Sequence, residues 1–454
     1  MTSLSRQLAH AGRALDRDAI AVLTVPAPSV PITPSSGGFS WRPPSGWGAV
    51  GGGQAAVLHA AGHTRFADIR ADAERLFSRI IHIVAPECGA PEPRLFGGFS
   101  FCPGSADGAL WSEFGDAQFW LPSWCWSCDG DDRSWLSIAI EHPRDPRALD
   151  RTEAALADFW RQASGIGRRH DVSPTSGAPL AQSLAPDSPG RVAWARGVEA
   201  IRAEIAAGRF EKIVAARRND VELERAIDPR RVVARLMDQF RDCLVFALCP
   251  GDAAFVGATP ERLVRRMGDV VQTEAVAGSI SLAAGAGALL ASAKDRGEQD
   301  LVVRAIERAL APLCRELSIP PTPEIRALRD VLHLETRIEG RLREPTHVLD
   351  LVRALHPTPA VGGVPTDRAV SWIERNERRP RGWYAAPVGW FDAAGNGEFA
   401  VAIRSGLLSD RTAYVYSGAG IVRDSDPEME YEETGLKQRA LLDALGLEPG
   451  GHGA

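Results

Sequence analysis

The hydrophobic and polar positions near the C-terminus predict an amphipathic helix over residues 427–445. Ser425 or Asp426 is a suitable N-cap, Pro427 fits the first turn, and Gly446 marks the C-terminal end. At about 100° per residue, one face of this helix is apolar. Its apolar positions are Met429, Leu436, Ala440, Leu441 and Ala444. This face is therefore expected to pack against a core.

Charged residues share this apolar face. Glu430, Glu433 and Lys437 project from it, whereas most other charged residues of the helix lie opposite. Burying an unpaired carboxylate is costly, so a metal ion, a cationic side chain or a hydrogen-bond network must compensate these groups if the face is buried. The alternative is that the first turn extends into solvent beyond the core.

A second helix, predicted between Ser292 and Leu310, repeats the pattern. Glu298 lies on its apolar stripe. The stripe consists of Leu301, Val302, Ala305, Ile306 and Ala309. Two helices thus direct carboxylates toward the interior. The hard cation Mg²⁺, which takes one or two carboxylates and keeps several waters, is the simplest compensation.

Strands and helices elsewhere predict an α+β fold. The predicted strands are 20–25, 95–101, 119–126, 135–140, 210–217, 243–249, 253–256, 262–266, 269–276, 331–334, 388–391, 398–405 and 414–416, and further helices are predicted at 64–84, 151–164, 191–207 and in a segment ending at 377. The paired glycines of the strand at 95–101 predict close packing. Residues 165–190 are rich in Pro, Ser and Gly and predict a linker or surface loop.

One lysine in these strands has two interpretations. Lys212 shares a strand face with Val214 and Ala216. A lysine on a face of small residues could keep an edge strand soluble or could act as a base inside the protein. The local pattern alone favours the edge-strand role.

Composition and charge restrict the class of protein. Hydrophobic residues make up 44% of the 454 residues, charged residues 24%, and the net charge is −6. These values indicate a globular protein that binds neither nucleic acid nor a membrane surface. No signal-like or membrane-spanning apolar run is present, so a cytoplasmic location is expected. The pair Cys125 and Cys128 lacks the second ligand pair of a zinc site, and the seven cysteines are expected to be reduced and packed.

Eight segments together resemble the chorismate-utilising enzymes, and most of all the isochorismate synthases. In chain order they read FEKIVAAR, GATPERL, EAVAGS, KDRGEQDLVV, HLETRIEG, LHPTPAVGG, VAIR and GAGIVRDSDPEMEYEETGLK. The resemblance covers about residues 188–445, and only LFGGFSF is typical in the first half. It departs from the family at Gln299, where histidine is usual, and in the sequence KIVAAR of the base motif.

The resemblance implies a fold and a division of the chain. The fold is an α+β sandwich of two large, mostly antiparallel sheets flanked by helices. Residues 1–187 are expected to form a supporting N-terminal half that ends in the linker. Residues 188–454 are expected to form the catalytic half that binds chorismate, and the two halves are expected to intertwine as one domain.

The resemblance also implies roles for individual residues. Lys212 matches the general base and Glu261 the general acid. Glu298 and Glu433 match direct Mg²⁺ ligands, and Glu430 matches a residue that acts through water. The positions that match the chorismate pocket are Gly278, Ser279, His333, Ala360, Tyr384, Arg404, Gly418 and Lys437. His333 on its own would more often be a core histidine.

The implied activity is the Mg²⁺-dependent isomerisation of chorismate to isochorismate, by water attack at C2 and loss of the C4 hydroxyl. Three alternatives stay open: a salicylate synthase that continues to salicylate and pyruvate, an amine-transferring synthase that makes anthranilate or aminodeoxychorismate, and an inactive chorismate-binding protein. The presence of Lys212, Glu261, Glu298 and Glu433 disfavours the last. The pathway that isochorismate would enter, to menaquinone or to a siderophore, is also open.

Ala360 bears on the choice between products. The salicylate-forming and amine-transferring relatives tend to carry threonine or another pattern in this segment, and a small apolar side chain offers no hydroxyl to position ammonia or to reorient the enolpyruvyl group. Ala360 as a simple packing choice in a proline-rich turn is the alternative. We expect chorismate as the small-molecule substrate and no amidotransferase subunit.

Overall fold

Long stretches of alternating residues form two large sheets in the computed structural model. The structure describes residues 18–28, 38–84, 89–130, 133–142, 183–184, 190–329 and 331–447, with isolated positions between 147 and 159. Nearly all strand pairs are antiparallel. The expected α+β sandwich is therefore confirmed.

The first sheet has 13 strands. In spatial order they are β10 (Ser183–Leu184), β11 (Lys212–Glu222), β23 (Thr412–Ile421), β22 (Ser405–Ser409), β13 (Ala254–Thr259), β12 (Leu244–Leu248), β2 (Gly38–Arg42), β3 (Gly48–Gly52), β8 (Trp124–Cys128), β9 (Ser134–Glu141), β1 (Ile20–Pro26) and β5 (Ile80–Val84), and β19 (Gly363–Val364) pairs with β11. The pair of β1 and β5 is parallel.

The second sheet has ten strands. In spatial order they are β16 (Cys314–Ser318), β18 (Val331–Leu342), β15 (Val270–Ser281), β14 (Arg262–Met267), β21 (Gly397–Val401), β20 (Pro387–Asp392), β6 (Arg94–Phe99), β7 (Ala117–Leu121) and β4 (Ala56–Ala60), and β17 (Glu324–Ala327) pairs with β18.

Eight α-helices cover these sheets in the described part of the chain. They are α1 (Arg65–Phe77), α2 (Arg191–Ala206), α3 (Pro229–Gln239), α4 (Ala286–Ala291), α5 (Ala293–Leu310), α6 (Val348–Leu355), α7 (Thr366–Asn376) and α8 (Pro427–Leu445). The caps of α8 follow the sequence signals. The Asp426 side chain accepts hydrogen bonds from the amides of Glu428 and Met429, and Gly446 ends the helix in the left-handed conformation.

Strands from both halves of the chain are neighbours in both sheets. In the first sheet β12 pairs with β2, so that Leu248 lies opposite Phe39. In the second sheet β20 pairs with β6, so that Gly389 lies opposite Gly97. The strands of the N-terminal half thus extend both sheets formed by the C-terminal half. The boundary proposed at residue 187 stays a prediction.

Three predicted elements differ in the structure. The helix expected over 64–84 ends at Phe77, because the β-branched run Ile80–Val84 pairs with β1 instead. The strand expected over 119–126 is split into β7 and β8, which belong to different sheets. The strand expected over 398–405 ends at Val401 and resumes as β22. The helix at 151–164 and the linker at 165–190 lie largely outside the described residues.

The core between the sheets is rich in aromatic side chains. Phe39 of the first sheet stacks on Phe96 of the second, with ring centroids 3.7 Å apart. Phe119 contacts Phe99 and Phe391 within the same layer. Large rings such as these bury more apolar area per residue than any other side chains, so they account for much of the sandwich's stability.

The described part of the chain contains neither a disulfide bond nor a membrane-spanning helix. The cysteines at 102, 125, 128, 243, 249 and 314 are free thiols, and Cys88 lies outside the described residues. Burial raises the pKa of the Cys125 thiol to about 12, which makes it unreactive. Among the described helices, none has the length and apolar character needed to cross a bilayer. The cytoplasmic location stays a prediction.

We expect Gly97→Ala to destabilise the fold, because the close packing predicted for the glycine pair is confirmed. A Cβ at Gly97 would lie 1.9 Å from the Gln118 carbonyl oxygen, which is backbone and cannot move aside. The expected loss is about 1–3 kcal/mol of unfolding free energy, measured by denaturant titration. The control is Gly197→Ala in α2, where nothing lies within 4 Å; it should not lose stability, since alanine favours the helix. Equal stability of the two variants would contradict this interpretation.

Candidate active site

One cavity of about 620 Å³ brings together every residue singled out from the sequence. Its walls come from β11, β15, β18 and β23, from helices α5 and α8, and from the turns after β13 and β21. The residues are Lys212, Glu261, Gly278, Ser279, Glu298, His333, Ala360, Tyr384, Arg404, Gly418, Glu430, Glu433 and Lys437.

Lys212 begins β11 and is 2% exposed. Its strand pairs with β23 on one side and with β10 and β19 on the other, so the interpretation as an edge-strand lysine is wrong. The Lys212 Nζ lies 3.5 Å from Glu298 Oε2. Gly420 of β23 leaves room for it, since a Cβ there would come within 2.5 Å of Lys212 Cε.

Glu261 occupies a different electrostatic environment. Its backbone amide donates to the Thr259 hydroxyl oxygen at 3.2 Å, and its carbonyl accepts from the Val401 amide at 3.0 Å, which fixes the turn between β13 and β14. Burial, and then the negative charge of Glu274, raises the pKa of Glu261 to about 8, although Lys212 acts in the opposite direction. The carboxyl is therefore protonated at neutral pH and can donate a proton.

A β-bulge in β15 shapes the opposite wall. Gly278 has a φ of +69°, and a Cβ there would lie 2.9 Å from the Asp295 side chain, so the position favours glycine. The next amide, that of Ser279, donates to Asp295 Oδ1 at 3.3 Å. The bulge thus anchors the sheet to the first turn of α5.

His333 is neutral and supports Arg404. Burial, and then the positive charges of Arg404 and Lys437, lower the pKa of His333 well below its usual value. Arg404 Nη2 donates to His333 Nε2 at 3.2 Å, so the ring proton lies on Nδ1, which is 3.0 Å from Ser279 Oγ and 3.2 Å from the Gly278 carbonyl oxygen. The histidine holds the guanidinium at the cavity wall.

Backbone strain occurs at the same wall. Arg404 has a φ of +52° and Ala385 a φ of +61°, a region that side chains other than glycine rarely adopt. Both residues line the cavity. Such strain persists only where the surrounding structure enforces it, and it concentrates at functional sites.

Helix α8 contributes an ion pair that orients Lys437. The Lys437 Nζ lies 2.6 Å from Glu433 Oε1 and donates to the Gly418 carbonyl oxygen at 2.9 Å. Burial raises the pKa of Glu433, but the charge of Lys437 outweighs it and lowers the pKa below its usual value. Glu433 is thus a carboxylate at neutral pH.

The first turn of α8 is only partly in solvent. Glu430 is 2% exposed, so the alternative that this turn leaves the core is wrong for this carboxylate. Met429 is 73% exposed and lies at the cavity rather than in the core, so it does not belong to the apolar face as expected. Burial and the charge of Glu433 raise the pKa of Glu430.

Lys294 was not among the site residues predicted from the sequence. Its Nζ lies 3.0 Å from Glu430 Oε1, at the rim of the cavity. Each of the three glutamates thus has a lysine partner, so burial alone does not require a metal. Within the described ranges, no group of three or more His, Cys, Asp or Glu residues is preassembled to hold a metal ion.

Tyr384 and Arg381 complete the site. The Tyr384 ring stacks on Tyr416 with centroids 5.1 Å apart, and burial raises its pKa, so the phenol stays neutral. Arg381, also missed, donates to the carbonyl oxygens of Val214 and Val361 at 2.8 Å and thereby ties β11 to the turn that carries Ala360. Arg381 also pairs with Glu377, four residues earlier, but its bonds to Val214 and Val361 join segments that are distant in the chain, and no sequence pattern marks them.

The similarity to known proteins extends over most of the chain and is not limited to single motifs. The family model described as chorismate binding enzyme matches residues 34–446. The chain is 40% identical over 365 residues to the salicylate biosynthesis isochorismate synthase of Pseudomonas aeruginosa, covering 79% of this chain and 75% of that protein. It is 35% identical over 430 residues to the isochorismate synthase MenF of Bacillus subtilis, covering 90% of this chain and 88% of that protein.

Solved structures agree with the fold and with the family. The menaquinone-specific isochorismate synthase MenF of Escherichia coli superposes with a TM-score of 0.74 at 25% identity, covering 98% of this chain and all of that chain. Anthranilate synthase component I of Streptococcus pneumoniae shares the fold, with a TM-score of 0.65 at 22% identity and coverage of 92% of this chain and 94% of that chain. The site residues and these matches together establish that the chain belongs to the family of chorismate-binding enzymes.

Proposed function

We propose that the protein is an isomerase, an isochorismate synthase, which converts chorismate to isochorismate by adding water at C2 and releasing the C4 hydroxyl. The observation that carries the proposal is the contrast between Lys212 and Glu261 in one cavity. The Lys212 side chain lies beside a carboxylate, and the Glu261 carboxyl keeps its proton at neutral pH. The named relatives with this activity support the same conclusion.

Substrate recognition follows from the cationic wall. Chorismate is a dicarboxylate, and Arg404 and Lys437 both face the cavity. Arginine suits a bidentate grip on a carboxylate, and the backbone amide at the β-bulge of Gly278 offers a further donor. Ser279 contacts His333, and His333 holds the guanidinium of Arg404 in place. The chorismate ring is therefore bound in one orientation.

The reaction needs one proton removed and one supplied. In its neutral form, Lys212 takes a proton from the attacking water as the C2–O bond forms. Glu261 gives its proton to the departing C4 hydroxyl, which leaves as water. The double bonds of the ring shift between these two events, and substrate and product are isomers, so no other reactant is required. A proton must then pass from Lys212 to Glu261 through the cavity or solvent before the next cycle.

The three glutamates suit Mg²⁺. Carboxylate oxygens are its preferred protein ligands, and the charge of Glu433 already disfavours a charged Glu430, a repulsion that a divalent cation would relieve. Glu298 and Glu433 would hold the ion directly and Glu430 through water. Bound Mg²⁺ would neutralise the ring carboxylate of chorismate and draw electron density toward it, which favours attack at C2.

The chorismate-utilising relatives differ in the product that they form. Ala360 lines the cavity without a hydroxyl, which favours water over ammonia as the nucleophile and disfavours elimination of the enolpyruvyl group. We therefore infer that the protein stops at isochorismate and works without an amidotransferase subunit. The chemistry is the same whether the product enters a menaquinone or a siderophore pathway.

The product assay tests the proposed function directly. Incubation with chorismate and Mg²⁺ should yield isochorismate by chromatography, with little pyruvate in a lactate dehydrogenase coupled assay and no amino product when ammonium is added. Lys212→Ala should lower kcat by about 10² or more while chorismate still binds, as expected for a lost general base. Near-stoichiometric pyruvate, or native turnover by Lys212→Ala, would contradict the proposal.

Glu261→Gln should separate acid catalysis from stability. Because the pKa of Glu261 is raised in the folded state, folding favours its protonated form, and this contribution to stability is lost as pH rises through about 8. The variant should lose about 10² or more in kcat, yet at pH 9 it should exceed the native protein in unfolding free energy by about 2 kcal/mol or more. At pH 5 the two should be similar.

Denaturant titration at both pH values measures this difference. The control is Glu339→Gln, a carboxylate exposed on β18, which should leave the pH dependence unchanged. Parallel stability curves for the native protein and Glu261→Gln would show that Glu261 ionises normally.

Removal of Mg²⁺ should abolish turnover. EDTA should stop the reaction and added Mg²⁺ restore it, and Glu433→Gln should weaken Mg²⁺ binding in calorimetry with the fold intact. The control is Glu307→Gln, an exposed glutamate of α5 that lies outside the cavity. Full activity in metal-free buffer would contradict the Mg²⁺ site.

A further inference from the structure

Lysine is confined to the active-site cavity in this protein. Of the 52 lysine and arginine residues, three are lysines: Lys212, Lys294 and Lys437. All three line the one cavity, and each lies within 3.5 Å of a glutamate oxygen. Arginine takes every other cationic position of the chain, on its surface and in its ion pairs.

Arginine and lysine side chains differ in how they bind a carboxylate. Guanidinium is planar, stays charged and forms a two-pronged, oriented contact with a carboxylate. Ammonium is a compact charge on a flexible stem and changes partners more easily. Lys212 needs an amine because it must lose a proton, and Lys437 fits the narrow space between Glu433 and the Gly418 carbonyl oxygen. Lys294 takes no part in the proposed reaction.

The pair formed by Lys294 and Glu430 is asymmetric. The Lys294 side chain is 42% exposed, whereas that of Glu430 is 3% exposed. The lysine lies in the first turn of α5, where it can extend into solvent at little cost. The glutamate stays buried, and a buried carboxylate without a partner is strongly destabilising. One member of the pair is therefore free to leave, provided that another cation replaces it.

We propose that Lys294 is a displaceable counter-ion, a positioning residue that neutralises Glu430 until Mg²⁺ enters and then releases it to solvent. The inference rests on the Mg²⁺ site of the proposed function. It explains why lysine occupies this position in a chain that otherwise uses arginine, because an arginine would hold Glu430 by two hydrogen bonds and would compete more strongly with the metal. Lys294 thus sets the affinity of the site for Mg²⁺.

Calorimetric titration of the ligand-free protein with Mg²⁺ tests this. Lys294→Met removes the competing charge and should tighten Mg²⁺ binding about tenfold. Lys294→Arg should weaken it several-fold, although the charge is kept. The control is Arg296→Met, which removes a positive charge from an exposed position of the same helix outside the cavity and should change the affinity less than twofold.

The small number of lysines allows a second measurement. Reductive methylation with ¹³C-formaldehyde labels the accessible amines, among them the exposed Lys294, whose signal is assigned by its loss in Lys294→Arg. That signal should move toward the position of a solvent-exposed dimethyl-lysine when Mg²⁺ is added.

Three results would overturn the inference. They are unchanged Mg²⁺ affinity in Lys294→Met, equal tightening in Arg296→Met, and a Lys294 signal that does not respond to Mg²⁺ that demonstrably binds. If the native protein binds no Mg²⁺ at all, the metal site of the proposed function fails as well, so the two failures are distinguishable.

Discussion

Three lysine–glutamate pairs in the cavity are the constraint on which the active site depends. A carboxylate inside a protein needs a partner, and here Glu298, Glu430 and Glu433 each have an ammonium group within 3.5 Å. The pair of Lys212 with Glu298 joins β11 to α5, the pair of Lys294 with Glu430 joins α5 to α8, and the pair of Lys437 with Glu433 lies within α8. Together they place charged groups along the cavity wall.

Glu261 shows what happens when a carboxyl lacks such a partner. Its turn places it deep in the protein beside the negative charge of Glu274, and its pKa rises to about 8. Glu433, with Lys437 at 2.6 Å, has a lowered pKa. Two glutamates lining one cavity thus have opposite protonation states, and that difference separates a candidate proton donor from a candidate metal ligand.

None of the described residues before 190 lines the cavity, so this part of the chain supports the arrangement from outside. Its strands continue both sheets beyond the strands that line the cavity, through the pairs of β12 with β2 and of β20 with β6. The aromatic core between the sheets then fixes the sheets relative to each other. The strained backbone at Arg404 and Ala385 lies on this rigid support, which is the condition under which strain can persist.

Local signals in the sequence determined part of the secondary structure, whereas helices α3, α4 and α6 were not predicted and most site residues were assigned through the resemblance to the family. The caps of α8, the carboxylates on two helix faces and the paired glycines of β6 are all properties of neighbouring residues, so the sequence suffices to predict them. Long-range pairing was decided by the tertiary structure alone. The run Ile80–Val84 became a strand because β1 was available to it, and Lys212 became an interior residue because strands flank β11 on both sides. The pair of Lys294 with Glu430, the bond of Arg381 to Val214 and the proton on Glu261 likewise depend on groups from other segments of the chain, and the energies that govern them exist only once folding has excluded water and brought those groups together.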